Sequence, residues 1–150
     1  MPGPSSPPNP WYSVLIGTYL SGVAGATALV RRRGPDVSLR GADIALLAAG
    51  THKLARVATQ EKVTRPVRSP FTDDVEEPDG TVAERPKPDG VRRAVGELVT
   101  CPFCLSVWIA TALTAAFLLA PRPTRIALGA LTAMVGSDFL QRAWARLDPG

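Results

Sequence analysis

Two cysteines stand three residues apart in the segment Cys101-Pro102-Phe103-Cys104, and the 150-residue chain contains no others. This spacing is typical of dithiol redox motifs, in which a helix N-terminus lowers the pKa of the first thiol. The usual host of such a motif is a strand-to-helix junction, and the sequence lacks a strand–helix–strand pattern. The same thiols and His52, the one histidine, are three candidate metal ligands. Because one cysteine pair is only half of a zinc site, we predict a structural role at a helix start and no cofactor.

Charged residues next to apolar segments form the second group of candidates. Asp138 interrupts an apolar run, and pairing with Arg142 one helical turn later would offset its charge. A functional alternative pairs Asp138 with Arg56 or His52 in a polar cluster. The net charge is +4, and the basic residues between positions 53 and 68 predict contact with anionic lipid headgroups rather than with nucleic acid.

Charge-free stretches indicate the elements that must position these side chains. Residues 11–30 and 98–120 contain no charged side chain, and each is long enough to cross the roughly 30 Å apolar core of a bilayer. Residues 126–140 form a shorter apolar run behind a short connection at 122–125, so the last two helices should form an antiparallel hairpin. The sequence therefore predicts an all-α membrane protein with three transmembrane helices.

The segment 42–60 has a different pattern. Its first ten residues are apolar but too few to cross a membrane. Continuation as a helix places four polar side chains on one face, those of His52, Lys53, Arg56 and Gln60. This pattern predicts an amphipathic helix on the inner membrane surface, or a re-entrant helix, with Asp43 as its N-cap. A fourth transmembrane helix is the alternative, which the charge rule disfavours because it would export Lys62 and the basic residues that follow.

The distribution of lysine and arginine predicts an orientation. Residues 31–97 contain 13 of the 17 basic residues, and cytoplasmic loops are enriched in such residues. We therefore expect a multi-pass protein of the inner cell membrane with its N-terminus outside and with residues 31–97 and the C-terminus in the cytoplasm. Residues 1–10 should form a disordered tail, residues 11–150 a single helical membrane domain, and residues 61–97 a flexible charged loop within it.

Small residues on the first and last predicted helices are spaced for close packing. They recur at every fourth position, at Gly17, Ser21 and Gly25 and again at Gly129, Ala133 and Ser137. Such ridges allow helix backbones to approach closely in lipid. We expect these two faces to pack on each other, within one chain or across a homo-oligomer.

Two longer motifs resemble a known family. The first is Lys53-Leu54-x-Arg56-x-x-Thr59-x-x-Lys62-Val63-Thr64-x-Pro66-x-Arg68-x-Pro70-Phe71-Thr72, and the second is Gly96-Glu97-Leu98-x-x-Cys101-Pro102-Phe103-Cys104-x-x-x-Trp108. In this order and beside apolar segments, they resemble a small bacterial integral-membrane family called domain of unknown function 1360. The resemblance extends from about residue 12 to residue 142, and it implies a multi-span membrane protein without established activity or catalytic residues.

These observations favour a non-enzymatic membrane protein. The leading hypothesis is a scaffold or interaction subunit that presents its charged cytoplasmic loop to the lipid bilayer, a second copy or a membrane partner protein. One alternative is a thiol redox or metal-binding membrane protein that uses Cys101 and Cys104. Another is a transporter or channel subunit, for which Asp138 is the first residue to substitute.

Overall fold

The computed structural model describes residues 10–34, 38–77 and 80–147, so most of the predicted N-terminal tail lies outside the described residues. The fold is mostly helical, but a two-stranded antiparallel sheet departs from the all-α prediction. The four long helices are α1 (Pro10–Arg33), α2 (Gly41–Gln60), α5 (Pro102–Leu119) and α6 (Pro121–Leu147). Between α2 and α5 lie a 3₁₀ helix (Lys62–Thr64), α3 (Arg65–Arg68), the antiparallel strands β1 (Thr72–Glu76) and β2 (Val82–Pro86), and α4 (Gly90–Thr100).

Helix α1 runs alongside α5 in the same direction. Near its start, the Tyr12 hydroxyl donates a hydrogen bond to the Glu97 carboxylate in α4. Further along, Tyr19 packs edge-on against Trp108, with ring centroids 5.1 Å apart, and its hydroxyl oxygen lies 2.8 Å from that of Thr111. These contacts place the N-terminal end of α1 at the same end of the bundle as α4.

Helix α2 runs parallel to α6. Asp43 in the first turn of α2 pairs with Arg125 near the start of α6, at 2.8 Å. Lys53, further along α2, pairs with Asp138, further along α6, also at 2.8 Å. The end of α1, the start of α2 and Ala120 therefore lie at one end of the bundle, and the described residues between α2 and α5 lie at the other.

The apolar core lies between these two ion pairs. Phe117 of α5 and Leu128 of α6 are fully buried, and Leu47 of α2 packs with them. Gly50 allows the close approach of α2, because a Cβ at this position would lie 2.5 Å from Leu128 Cδ2. Three helices thus meet at one residue that has no side chain.

Helix boundaries differ from those expected for residues 98–147. Helix α4 includes residues 98–100, and α5 begins after Cys101. The turn before α6 is at Ala120 instead of at 122–125, because Pro121 and Pro123 occupy the first helical turn, where a missing N–H costs little. Residues 126–140 are consequently the middle of a longer helix.

The position of α2 also differs from that expected. Residues 42–60 are helical, as predicted, but α2 lies along α5 and α6 instead of across their ends. Two of its charged residues, Asp43 and Lys53, find partners on α6. The contact between α1 and α4 places the N-terminal end of α1 next to the segment 61–97. The sequence had predicted that a membrane separates the two.

The small-residue faces do not pack on each other within one chain. A Cβ at Gly17, Gly25 or Gly129 would meet nothing within 4 Å. Both faces are exposed, including those parts formed by Ser21, Ala133 and Ser137. Their packing across a homo-oligomer stays a prediction.

Candidate functional site

The segment of residues 61–101, which we call the polar unit, is organised around one buried arginine. The Arg68 side chain is only 4% exposed. Its guanidinium binds both carboxylate oxygens of Glu84, at 2.8 and 2.9 Å. It also donates to the carbonyl oxygens of Ala58 and Glu61 at the end of α2, at 2.8 and 3.2 Å. The hydrogen bonds from Arg68 lower the pKa of Glu84 below its usual value. Together with the hydrogen bonds to the end of α2, they hold the hairpin against α2.

The other residues of the first motif fix the path of the chain after α2. The Thr64 hydroxyl donates to the carbonyl oxygen of Val57 at 2.6 Å and accepts from Arg68 at 2.5 Å. The Phe71 carbonyl oxygen would lie 2.5 Å from a Cβ at Gly96, so α4 can pack here only with glycine. The remaining motif residues on this path are exposed, namely Lys62, Pro66 and Pro70.

Charge pairs connect the helices and strands of the described part of the segment 61–97, and the flexibility expected for this segment stays a prediction. Arg65 pairs with Asp74, and Lys87 lies 3.7 Å from Asp73. Basic residues on both sides of the hairpin thus face its acidic residues. Composition alone predicts disorder because the segment has few large apolar residues, and it does not show that the two charge blocks neutralise each other in space.

The two cysteines lie where α4 ends and α5 begins. Cys101 is the N-cap of α5, and its Sγ accepts the backbone N–H of Cys104 at 3.2 Å. Pro102 occupies the first turn of α5, as predicted. Hydrogen bonds from the Cys104 thiol and from backbone N–H groups lower the pKa of Cys101 below its usual value. Both thiols are free.

The candidate metal ligands are not brought together. His52 lines a groove between α2 and α5, whereas Cys104 lines a cavity between α5 and α1. Among the described residues there is no group of three or more histidine, cysteine, aspartate or glutamate side chains that could hold a metal ion.

Asp138 has a partner that the sequence did not suggest. It pairs with Lys53, whose side chain is only 9% exposed, instead of with Arg142, Arg56 or His52. Spacing along one helix favoured Arg142, because a partner on another helix leaves no signal in a single sequence. For the same reason the sequence did not pair Asp43 with Arg125, and Asp43 is the third residue of α2 and not its N-cap.

Two helices are long and apolar enough to cross a membrane, by length and composition. They are α1 and α5. In the most apolar 18-residue stretch of each helix, the fully buried share is 0% in α1 and 6% in α5. Apolar helices of soluble proteins bury at least one face. The fold therefore leaves α1 largely exposed, while α5 is mostly half-buried between its neighbours.

Comparison with known proteins yields one family and one curated relative. The model of a family described as "Protein of unknown function (DUF1360)" matches residues 46–144. The sporulation protein YjcA of Bacillus subtilis (strain 168) is 36% identical over 76 residues, which are 48% of this chain and 64% of the relative. The match thus spans less than two thirds of that relative's length. No solved structure matches.

Proposed function

The chain belongs to the DUF1360 family, whose function is unknown, and we propose that it is a four-helix membrane protein whose polar unit is a rigid, non-enzymatic docking surface. The observation that carries this proposal is the buried Arg68 of α3. Its side chain is hydrogen-bonded both to the end of α2 and to the hairpin. A polar segment held in this way has a fixed shape, and a fixed shape reduces the ordering cost of binding a partner.

The uncovered apolar surface supports the membrane location. Helix α1 presents an apolar face that the described fold leaves open, and α5 is only partly covered by its neighbours. Lipid is the medium that tolerates such apolar surfaces. Helices α2 and α6 contain charges that would be costly in lipid, but Asp43 and Lys53 are each paired across the two helices. The four long helices alternate in direction along the chain, and all four can therefore cross one bilayer.

The ends of the bundle differ in charge and in aromatic content, which supports a cytoplasmic polar unit. The end that contains the polar unit has nine basic residues, Lys62, Arg65, Arg68, Arg85, Lys87, Arg92, Arg93, Arg142 and Arg146. The opposite end has six, Arg31, Arg32, Arg33, Arg40, Arg122 and Arg125. Trp11 and Trp144 lie toward the first end, where indole rings prefer the membrane interface. When both termini lie in the cytoplasm, four transmembrane helices leave the whole polar unit in the cytoplasm. The earlier objection to a fourth transmembrane helix, that it would export these basic residues, then does not apply.

Accessibility labelling tests this topology. Single cysteines replace Ser38 or Ser69 in a chain that lacks both native cysteines, and an impermeant maleimide is applied to intact and to opened cells. We expect Ser38→Cys to react in intact cells and Ser69→Cys to react only after opening. Three transmembrane helices with the N-terminus outside predict that neither reacts in intact cells, and that result would overturn the proposal.

Two exposed valines of the polar unit are the sites at which we expect a partner. Val63 and Val67 are 78% and 71% exposed, so they offer a partner an apolar contact within the polar unit. A photo-crosslinking amino acid at position 67 should give a discrete protein adduct in cells. The same amino acid at Met134, on the α6 surface that we assign to lipid, is the control and should give none.

A thiol-dependent mechanism predicts a different outcome. In a docking protein, Cys101→Ser/Cys104→Ser should retain the adduct from position 67, because neither thiol is needed to shape the surface. Loss of the adduct in this variant, with unchanged thermal stability, would favour thiol chemistry. Absence of any adduct from positions 63 and 67 at native expression levels would contradict the docking role.

The name of the Bacillus subtilis relative refers to sporulation. We propose, on the basis of this similarity, that the docking surface acts in a process of the same kind in hosts that form spores. Deletion in such a host should lower the yield of heat-resistant spores, and Arg68→Ala should reproduce the defect. Normal spore yield after deletion would remove this assignment and leave the docking role intact.

A further inference from the structure

A groove of about 700 Å³ runs between α2 and α5. The wall from α2 includes Leu47, Ala48 and Ala55, and the wall from α5 includes Ala110 and Thr114. Several of these side chains are small, so the two helix backbones leave a long channel instead of interlocking. The wall from residue 44 to residue 56 is about 18 Å long, at a rise of roughly 1.5 Å per residue, which suits an extended acyl chain.

The groove ends near the polar unit, and its charged lining there is positive. Arg56 lines this end together with His52 and Gln60, and the lining includes no acidic residue. Lys53 neutralises Asp138, the nearest carboxylate on α6. Arg56 forms no hydrogen bond or ion pair within the part of the chain that the structure describes. Its guanidinium therefore has its donors available for an anion.

The charged groups around Arg56 leave a net positive charge. A smaller cavity on the other side of Arg56 is lined by three basic side chains, counting Arg56 itself, and by two acidic ones, Glu61 and Asp138. Arg142 is the third basic side chain. An apolar channel with an available cation at one end is complementary to a molecule with an apolar chain and an anionic head.

We propose that this groove binds one anionic phospholipid, with its phosphate at Arg56 and one acyl chain between α2 and α5. The inference rests on the proposed membrane location, which places Arg56 toward the cytoplasmic headgroups. A partner helix or a second copy would fill the apolar channel equally well, but neither explains a cation at its end. Arginine suits phosphate because its guanidinium can donate two parallel hydrogen bonds.

Lipid binding to the purified full-length protein tests the proposal. Dioleoyl phosphatidylglycerol and dioleoyl phosphatidylcholine, which share their acyl chains, are titrated separately and followed by native mass spectrometry. We expect one tightly bound phosphatidylglycerol per chain and a preference over phosphatidylcholine of about fivefold or more, as one basic contact contributes. Arg56→Gln should remove this preference.

Two further variants separate the head from the chain. Lys62→Gln removes an exposed basic residue just beyond α2 and outside the groove, so it should leave the preference unchanged. Ala110→Phe fills the channel and should reduce binding of both lipids. Melting temperatures of all variants are measured, and a stable Ala110→Ile replaces the phenylalanine variant if that variant fails to fold.

Several results would overturn the lipid site. Equal binding of the two lipids, an Arg56→Gln variant that behaves as wild type, or a dimer that persists when lipid is added would each do so. Labelling of Ser38→Cys in intact cells together with equal lipid binding would defeat this inference and leave the proposed topology standing. Failure of the labelling test would defeat both.

Discussion

The contact between α2 and α6 predicts that two chemically identical substitutions have opposite effects. Gly50 and Gly129 both lie within helices. A Cβ at Gly129 meets nothing within 4 Å, whereas a Cβ at Gly50 lies 2.5 Å from Leu128 Cδ2 and 3.5 Å from Leu131 Cδ1. Alanine is favoured over glycine within a helix by about 0.5–1 kcal/mol. Gly129→Ala should therefore stabilise the protein by that amount.

Gly50→Ala gains the same helix propensity but must displace a side chain that has no free space. Leu128 is fully buried, and overpacking of a filled core costs about 1–3 kcal/mol. Because propensity contributes equally to both variants, their difference in unfolding free energy, about 1–3 kcal/mol, isolates the packing of α2. For a chain of this size each kcal/mol corresponds to a shift in Tm of roughly 2–4 °C.

Thermal unfolding in detergent, followed by circular dichroism, measures this difference. Gly50→Ala should melt below Gly129→Ala, and Gly50→Leu should melt lower still. A surface-lying α2 would leave Gly50 without neighbours on α6, and both alanine variants would then be stabilised alike. Equal melting temperatures for the two variants would refute the packing described here.

Three other predictions concern charges and thiols. Lys53→Met should lower the unfolding free energy by about 1–3 kcal/mol, between the values for exposed and buried ion pairs, and Asp138→Leu in the same chain should restore most of this loss. Urea or SDS titration measures the unfolding free energies of the single and double variants. Additive losses would contradict the pairing. The pKa of Glu84 is lowered by its partner Arg68. The stabilisation from this ion pair is therefore complete above the usual carboxyl pKa of 4.5, and it is lost as the pH falls through the lower pKa of the folded protein. After correction for the intrinsic exchange rate, the amide protection factors of the polar unit should therefore fall at acidic pH in the wild type, with Glu84→Gln showing little such change. Cys101 should be alkylated with a midpoint below pH 9, and Cys104→Ser should raise that midpoint, because the second thiol is the main cause of the lowered pKa. An unchanged midpoint would count against the hydrogen bond from the Cys104 thiol.

The helices were accessible from the sequence because they depend on local pattern. Charge-free runs of about 20 residues predicted α1 and α5, and the helical arrangement of polar residues predicted α2. The position of α2 was not accessible. A face that contains Lys53 and Arg56 is equally suited to headgroups and to a carboxylate on another helix, and only the structure distinguishes these environments.

The polar unit shows the limit of composition as a guide to order. Few apolar residues predict disorder, yet Arg68 replaces an apolar core with hydrogen bonds to Glu84 and to the end of α2. Gly50 and Gly96 were the available signals, since glycine within a helix costs about 1 kcal/mol and is often explained by close packing. The predicted orientation stays a prediction, and the orientation that we propose differs from it because a count of basic residues depends on the assumed number of transmembrane helices.

The two ion pairs between α2 and α6 have a consequence for biosynthesis. Their members are 82 and 85 residues apart in sequence. At roughly 5–20 residues per second, Asp43 and Lys53 leave the ribosome roughly 4–17 seconds before their partners. During that interval a membrane would have to accept α2 with its charges unmatched, which is costly. In the proposed four-helix topology, stable insertion of α1 and α2 is therefore expected to wait for α6, so a nascent chain truncated before residue 121 should expose α2 to proteases.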